Sequence, residues 1–310
     1  MTSVDRAIRG VGLALSLTVL ALSTPATAAG YPDKPVRIVV PFAAGAGQVL
    51  DVEPLPGAGG IAAARAVISA RPDGYTLALL TNGTAVSVSL FEKLPFDPLR
   101  DFAPVSSLGF FDFILATGAE APFKTLGDFI AAARAKPGTL NVGTINVGST
   151  QNLSAELFKT AAGIDFAIVP YRGTPEVAVS LLQGNIALMI DSYASIKGNL
   201  AEGKIRALAS SGPVRSASTP DIATVRESGV AVYDVVSWNA LFAPAATPPD
   251  IVNTLNGALQ EILADADVKK RLLELGIEAR ASTPQEIASR LKADIDKWRQ
   301  VIEKAGIQKQ

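Results

Sequence analysis

Hydroxyls, amides and glycines recur directly after runs of apolar and β-branched residues: Thr81, Asn82 and Thr84; Thr144, Gly148, Ser149 and Thr150; Tyr171, Gly173 and Thr174. Asp191 follows the run Ile186–Ile190, and Pro41–Phe42 closes the run Val36–Val40. These are neutral donors and acceptors with little charge among them and no paired carboxylates at a suggestive spacing. Such chemistry suits holding a polar small molecule, with the rings of Phe42 and Tyr171 available as walls. Asn141–Asn152 shows the pattern most fully: Leu140 and Val142 suggest a strand end, Gly143, Asn146 and Gly148 break it, and Leu153, Leu157 and Phe158 begin a helical period. A strand, a small-residue loop and a helix place unpaired main-chain N–H groups and the positive end of a helix dipole at one spot, which suits an anion. The same residues also serve simply to turn and cap a chain. Asp191 could accept from a ligand or cap the helix after Ser192, and Arg172 could pair a carboxylate or stay solvated.

Composition narrows the chemistry. The chain of 310 residues has no cysteine and no histidine. That excludes a thiol nucleophile, disulfides, Ser-His-Asp catalysis and a zinc site built on His or Cys. A carboxylate-only metal site and Ser-Lys chemistry remain formally open. Gly45 and Gly47 would need a third glycine where Leu50 stands, and neither glycine-rich stretch ends in Gly-Lys-Ser/Thr, so no phosphate-binding fingerprint is present. A formal charge of −1 gives no basic footprint for nucleic acid. No cofactor is expected.

The elements that would position these loops read as an α/β chain. Residues 1–29 read as a secretory signal: Arg6 and Arg9, an apolar core from Val11 to Leu22, and the small-x-small pattern Ala26–Ala28. Strands are expected at Val36–Val40, Gln48–Glu53, Tyr75–Leu80, Val105–Leu108, Phe111–Ala116, Phe166–Val169, Ile186–Ile190 and Ile205–Ala209, with a long extended run over Tyr233–Ala243. Helices are expected at Ile61–Ala70, Leu126–Lys136, after Pro175, and over Ile251–Leu263 and Val268–Leu275. Thr81–Thr84 reads as a loop. Ile287, Leu291, Ile295, Trp298 and Ile302 form one apolar stripe on a last helix, read as core contact. Strands alternating with helices argue for mostly parallel sheets, with ligands at the carboxyl edge.

Tyr31–Phe42 resembles the mature start of the Bug (TctC-like) periplasmic solute-binding proteins of tripartite tricarboxylate transporters. Pro56–Gly60, Pro72–Thr76, Thr81–Thr84, Leu94–Pro98, Val169–Gly173, Lys204–Leu208 and Ala243–Pro248 continue the likeness in order along nearly all of the chain after residue 29. The resemblance implies a two-lobed periplasmic binding protein type II fold. One lobe would comprise residues 30–116 and 239–310, the other 117–238, with a hinge near Ala116 and Trp238. It also implies a carboxylate held mainly by loop amides, hydroxyls and waters, at segments matching Pro41–Phe42, Thr81–Thr84, Thr144–Thr150, Tyr171–Thr174 and Asp191. The expected partners are a small carboxylate and a membrane permease, for a periplasmic monomer that is not an enzyme. Rival readings are a periplasmic enzyme using Ser149 or Asp191, and a damaged or repurposed paralogue with weak or no binding. The second rests on a departure: the family's first helix after strand 1 is apparently lacking, because Ala43–Gly47 is too short for a parallel crossover. The expectation is therefore a tight hairpin or a displaced first strand, with one sheet face uncovered.

Overall fold

One strand of 17 residues, β4 (Phe102–Gly118), runs through the whole sheet. In the computed structural model the described residues are 31–40, 52–54 and 60–310, and Pro32–Gln310 form a single compact unit. Residues 1–29, expected as a secretory signal, Pro41–Phe42 and the span Ala43–Gly47 lie outside the described residues. The elements before β4 are β1 (Arg37–Val40), β2 (Val52–Pro54), α1 (Ile61–Ile68), β3 (Thr76–Thr81) and α2 (Asn82–Leu90). After it come α3 (Leu126–Ala135), β5 (Asn141–Ile145), α4 (Thr150–Ala162), β6 (Ala167–Tyr171), α5 (Thr174–Leu182), β7 (Leu188–Ser192), α6 (Tyr193–Ala201) and β8 (Ile205–Ser210). The chain ends with β9 (Val236–Pro244), α7 (Pro249–Ala264), α8 (Ala266–Leu273), β10 (Glu278–Ala279) and α9 (Pro284–Ala305).

Pairing along β4 changes hands once. Residues Phe102–Asp112 pair antiparallel with β9, which in turn pairs with β3. From Phe113 onward β4 pairs with β7 and β8. In the first half β1, β2, β3 and β4 run one way, with β9 and β10 reversed. In the second half β5, β6, β7 and β8 run together, against β4. Each half is thus mostly parallel. The two strands expected at Val105–Leu108 and Phe111–Ala116 are one, and the change of partner falls four residues before Ala116.

The hairpin is not formed. β1 pairs parallel with both neighbours, Ile38 opposite Val52 and Leu77, so it lies between β2 and β3. The described part of the second strand is Val52–Pro54. Nor is the described part of β1 uncovered. Val39 is fully buried in the cluster that holds Ala63, Ala64 and Val67 of α1, and Ile38 joins the cluster of Leu77 and Leu241 with Leu255 and Leu259 of α7.

The stripe on α9 is core, as its period requires: Ile287, Leu291, Ile295, Trp298 and Ile302 are all buried. They join a single cluster with Val86 and Leu90 of α2, Leu153 and Phe158 of α4, and Trp238 of β9. The apolar interior is therefore continuous across the place where β4 changes partners. The extended run expected from Tyr233 becomes a strand only at Val236, because the main chain before it is taken up by turns such as Tyr233 N–H to Val230 O.

Candidate functional site

The carboxyl ends of the two parallel sets face each other across β4. Thr81, at the end of β3, is level with Asn239, which is level with Gly109. Ser192, at the end of β7, is level with Phe113. Four residues of one strand, about 13 Å, separate the two levels.

On the first side, Thr81 ends β3 and caps α2. Its hydroxyl accepts from Gly83 N–H at 3.1 Å, and its own N–H donates to Thr84 Oγ1 at 3.2 Å. The expected loop Thr81–Thr84 is therefore the first turn of a helix. Sequence reasoning missed α2 because it has no amphipathic stripe: Asn82, Thr84, Ala85, Val86, Ser87, Ser89 and Leu90 are all buried, and a helix buried all round shows no periodicity. Asn82 is 1% exposed. Its Nδ2 donates to Asp294 Oδ2 at 3.2 Å, and its Oδ1 accepts from Trp298 Nε1 at 2.8 Å and Thr150 Oγ1 at 3.3 Å.

On the second side, Ser149 caps α4, accepting from Asn152 N–H at 3.1 Å and donating to Ile145 O at 3.0 Å. Asn152 gathers the loop: its Oδ1 accepts from Gly148 N–H and its Nδ2 donates to the buried Thr144 Oγ1, both at 3.2 Å. Gly148 has φ +76°, and a Cβ there would stand 2.0 Å from Leu90 Cδ2. Gly148→Ala is expected to destabilise the protein by about 1–3 kcal/mol, through left-handed backbone and collision together. Leu90→Ala relieves the collision but opens a core cavity of its own, so denaturation of both single variants and the double variant, read as a cycle, separates the collision from the backbone strain.

Asp191 is the hub of the remaining loops and is 1% exposed. Its Oδ2 accepts from Thr174 Oγ1 at 2.6 Å; its Oδ1 accepts from Ser192 N–H at 2.7 Å and Gln151 Nε2 at 3.3 Å. Burial pushes its carboxyl above the usual range, against the pull of those three hydrogen bonds. Of the two roles open to Asp191, a cap of α6 is not what it makes: it bonds the N–H of the next residue, and Ser192 gives α6 no side-chain cap. Gly173 likewise leaves α5 without one. Both helices present a positive dipole end without a side-chain cap, although in α5 Pro175 has no N–H and Glu176 N–H donates to Gly173 O at 3.2 Å.

The Tyr171 ring is turned to α5. Its hydroxyl meets Ser180 Oγ at 2.5 Å, and with Pro175, Val179 and Gln183 it lines an open surface groove. Its main-chain carbonyl does join the site, accepting from Asn146 N–H at 2.9 Å. Arg172 is exposed, and its N–H donates to Glu176 Oε2. Among the described residues no group of three or more acidic side chains is placed to hold a metal.

A family model described as "Tripartite tricarboxylate transporter family receptor" matches residues 41–307. The chain belongs to this receptor family. Three solved structures are similar to the receptor over most of its length. R. palustris Rpa4515 with adipate is 31% identical, with a TM-score of 0.80 over 90% of this chain and 100% of that one. MatC (Rpa3494) from Rhodopseudomonas palustris with bound malate is 32% identical, with a TM-score of 0.74 over 88% and 100%. The periplasmic binding protein BugD is 27% identical, with a TM-score of 0.76 over 90% and 100%. These relatives fix the fold as that of periplasmic binding proteins, and the family is one of binding proteins rather than enzymes.

Sequence reasoning missed Gln151, Asn152, Trp238, Asp294 and Trp298 as parts of the framework around the candidate site. One signal was available. Asp294 lies three residues from Leu291 and four from Trp298, on the buried stripe of α9. A carboxylate in such a stripe must have partners.

Proposed function

We propose that this receptor is exported, closes on a small carboxylate between its two halves, and delivers it to a membrane permease. The observation that carries the reading is the set of facing carboxyl edges, furnished with hydroxyls, amides and two helix N-termini without side-chain caps. The adipate and malate held by relatives of the same fold support a carboxylate as the ligand class. Pro41, Phe42, Thr81, Thr84, Thr144, Gly148, Ser149, Thr150, Tyr171, Gly173, Thr174 and Asp191 are the proposed lining, with Asn82 positioning rather than presenting its amide. The proposal includes cleavage of residues 1–29, a periplasmic monomer, and lobes of residues 30–116 with 239–310 and of 117–238. The continuous sheet around β1 supports this reading over a damaged paralogue, since β2 keeps its place beside β1.

The test is a thermal-shift and calorimetric screen of the chain from Gly30 onward against mono- and dicarboxylates. A ligand at about 100 times its Kd is expected to add about 2.7 kcal/mol. Thr174→Val, which removes a hydroxyl from the hub of the site, is expected to weaken the binding about tenfold. A cooperative melt that no carboxylate in the panel shifts would overturn the reading.

A further inference from the structure

The Asn82 amide is fixed from behind. Asp294 is 4% exposed, and as a carboxylate it only accepts; its Oδ2 takes Trp238 Nε1 at 2.6 Å, Arg290 Nε at 2.8 Å and Asn82 Nδ2 at 3.2 Å. Trp298 Nε1 only donates, and it meets Asn82 Oδ1 at 2.8 Å. An acceptor on one side and a donor on the other leave the amide a single orientation. Its oxygen is therefore a preset acceptor aimed at the other half of the molecule, where Thr150 Oγ1 donates to it at 3.3 Å. At the opposite end of α2, Leu90 lies over Gly148, in the loop that leads into α4. Residues 148–150 thus meet α2 at both ends, and one of the meeting atoms is locked in place before the halves meet.

We propose that Asn82 and Leu90 form a latch that catches the 148–150 segment and holds the two halves together without ligand. This rests on the reading of the receptor as two lobes about a hinge. Separation at the crossing of β4 and β9 must break the Thr150–Asn82 hydrogen bond and lift Gly148 off Leu90. The bond is long and neutral, so the bias it supplies is modest, about threefold to tenfold in the ratio of closed to open forms. The functional consequence follows from population arithmetic: a receptor already closed part of the time has a smaller competent-state penalty on its apparent affinity.

The test is made without ligand, so its outcome does not depend on whether a carboxylate binds. The chain has no cysteine, so Glu261→Cys on α7 and Gln183→Cys after α5, both exposed positions, take spin labels specifically. Double electron–electron resonance on the ligand-free protein is expected to show a dominant short distance in this background. Thr150→Val keeps the shape and removes the donor; it and Leu90→Ala are each expected to add a longer component, raising the open fraction about threefold or more. Thr150→Ser, which keeps the hydroxyl, is expected to restore the short distance. Distance distributions unchanged in both Thr150→Val and Leu90→Ala would overturn the latch.

Discussion

Asp294→Ala is expected to lower the stability of the receptor by about 3–5 kcal/mol, the range for removing one partner from a buried charged pair. The carboxylate is buried and serves three donors, each from a different part of the chain: Trp238 in β9, Asn82 in α2 and Arg290 one turn earlier in α9. Removing it leaves the Trp238 N–H and the Asn82 amide without that acceptor inside the core, and the half-buried Arg290 without its anion. Arg290 keeps a second bond, to Val236 O at 3.0 Å, so its head stays in place as an uncompensated charge. Denaturant unfolding of Asp294→Ala and Asp294→Asn checks the figure. Asparagine retains one acceptor oxygen and is expected to lose less than alanine. Equal losses would mean that volume, not hydrogen bonding, sets the effect.

The second large effect is one of pH. Asp112 lies in β4 where the strand changes partners, and its carboxyl is raised from 3.8 to about 7. Burial is the main cause, the negative charges of Glu278 and Asp234 add to it, and the N–H of Gly212 opposes it. The sign follows from proton uptake. Between about pH 4 and pH 7 the folded protein holds a proton on Asp112 that the unfolded chain does not, so stability falls as pH rises through that window. About three pKa units correspond to about 4 kcal/mol; discounted for partial exposure of the group, about 2 kcal/mol is expected. Asp112→Asn should therefore stabilise the receptor at pH 8 by about 2 kcal/mol, with the gain shrinking towards pH 4. Melting curves of both proteins across that range, subtracted from one another, measure it. A difference that does not change with pH would mean that Asp112 does not titrate there.

Residues with a clear period gave their structures away. The α9 stripe and the strand-to-helix step at Ser149 could be read because each depends on neighbours within a few positions. The misread parts depend on partners far along the chain. α2 is buried on all sides by elements from both halves, so its sequence carries no stripe. β4 was divided at Gly109–Phe110, where a glycine interrupts the apolar run, although β9 pairs with it on both sides of that break. The place of β2 was misjudged from connection length alone, whereas its parallel pairing with β1 sets it at the sheet edge. At the site, the residue types around the strand ends were legible as a set of neutral donors. Their division of labour was not: Asn82 faces Asp294, 212 residues away, and Tyr171 faces its own helix.

The distance between those partners sets the order in which the molecule can be completed. The first half is closed by residues at opposite ends of the chain: Asn82 bonds Trp298, 216 residues later. At synthesis rates of about 5–20 residues per second, roughly 10–40 s pass between the appearance of α2 and of the helix that receives it. During that interval α2 lacks the α9 groups that Asn82 and Ser89 bond in the finished fold. A nascent chain of this receptor is thus held short of its native state by its own topology until α9 has been made.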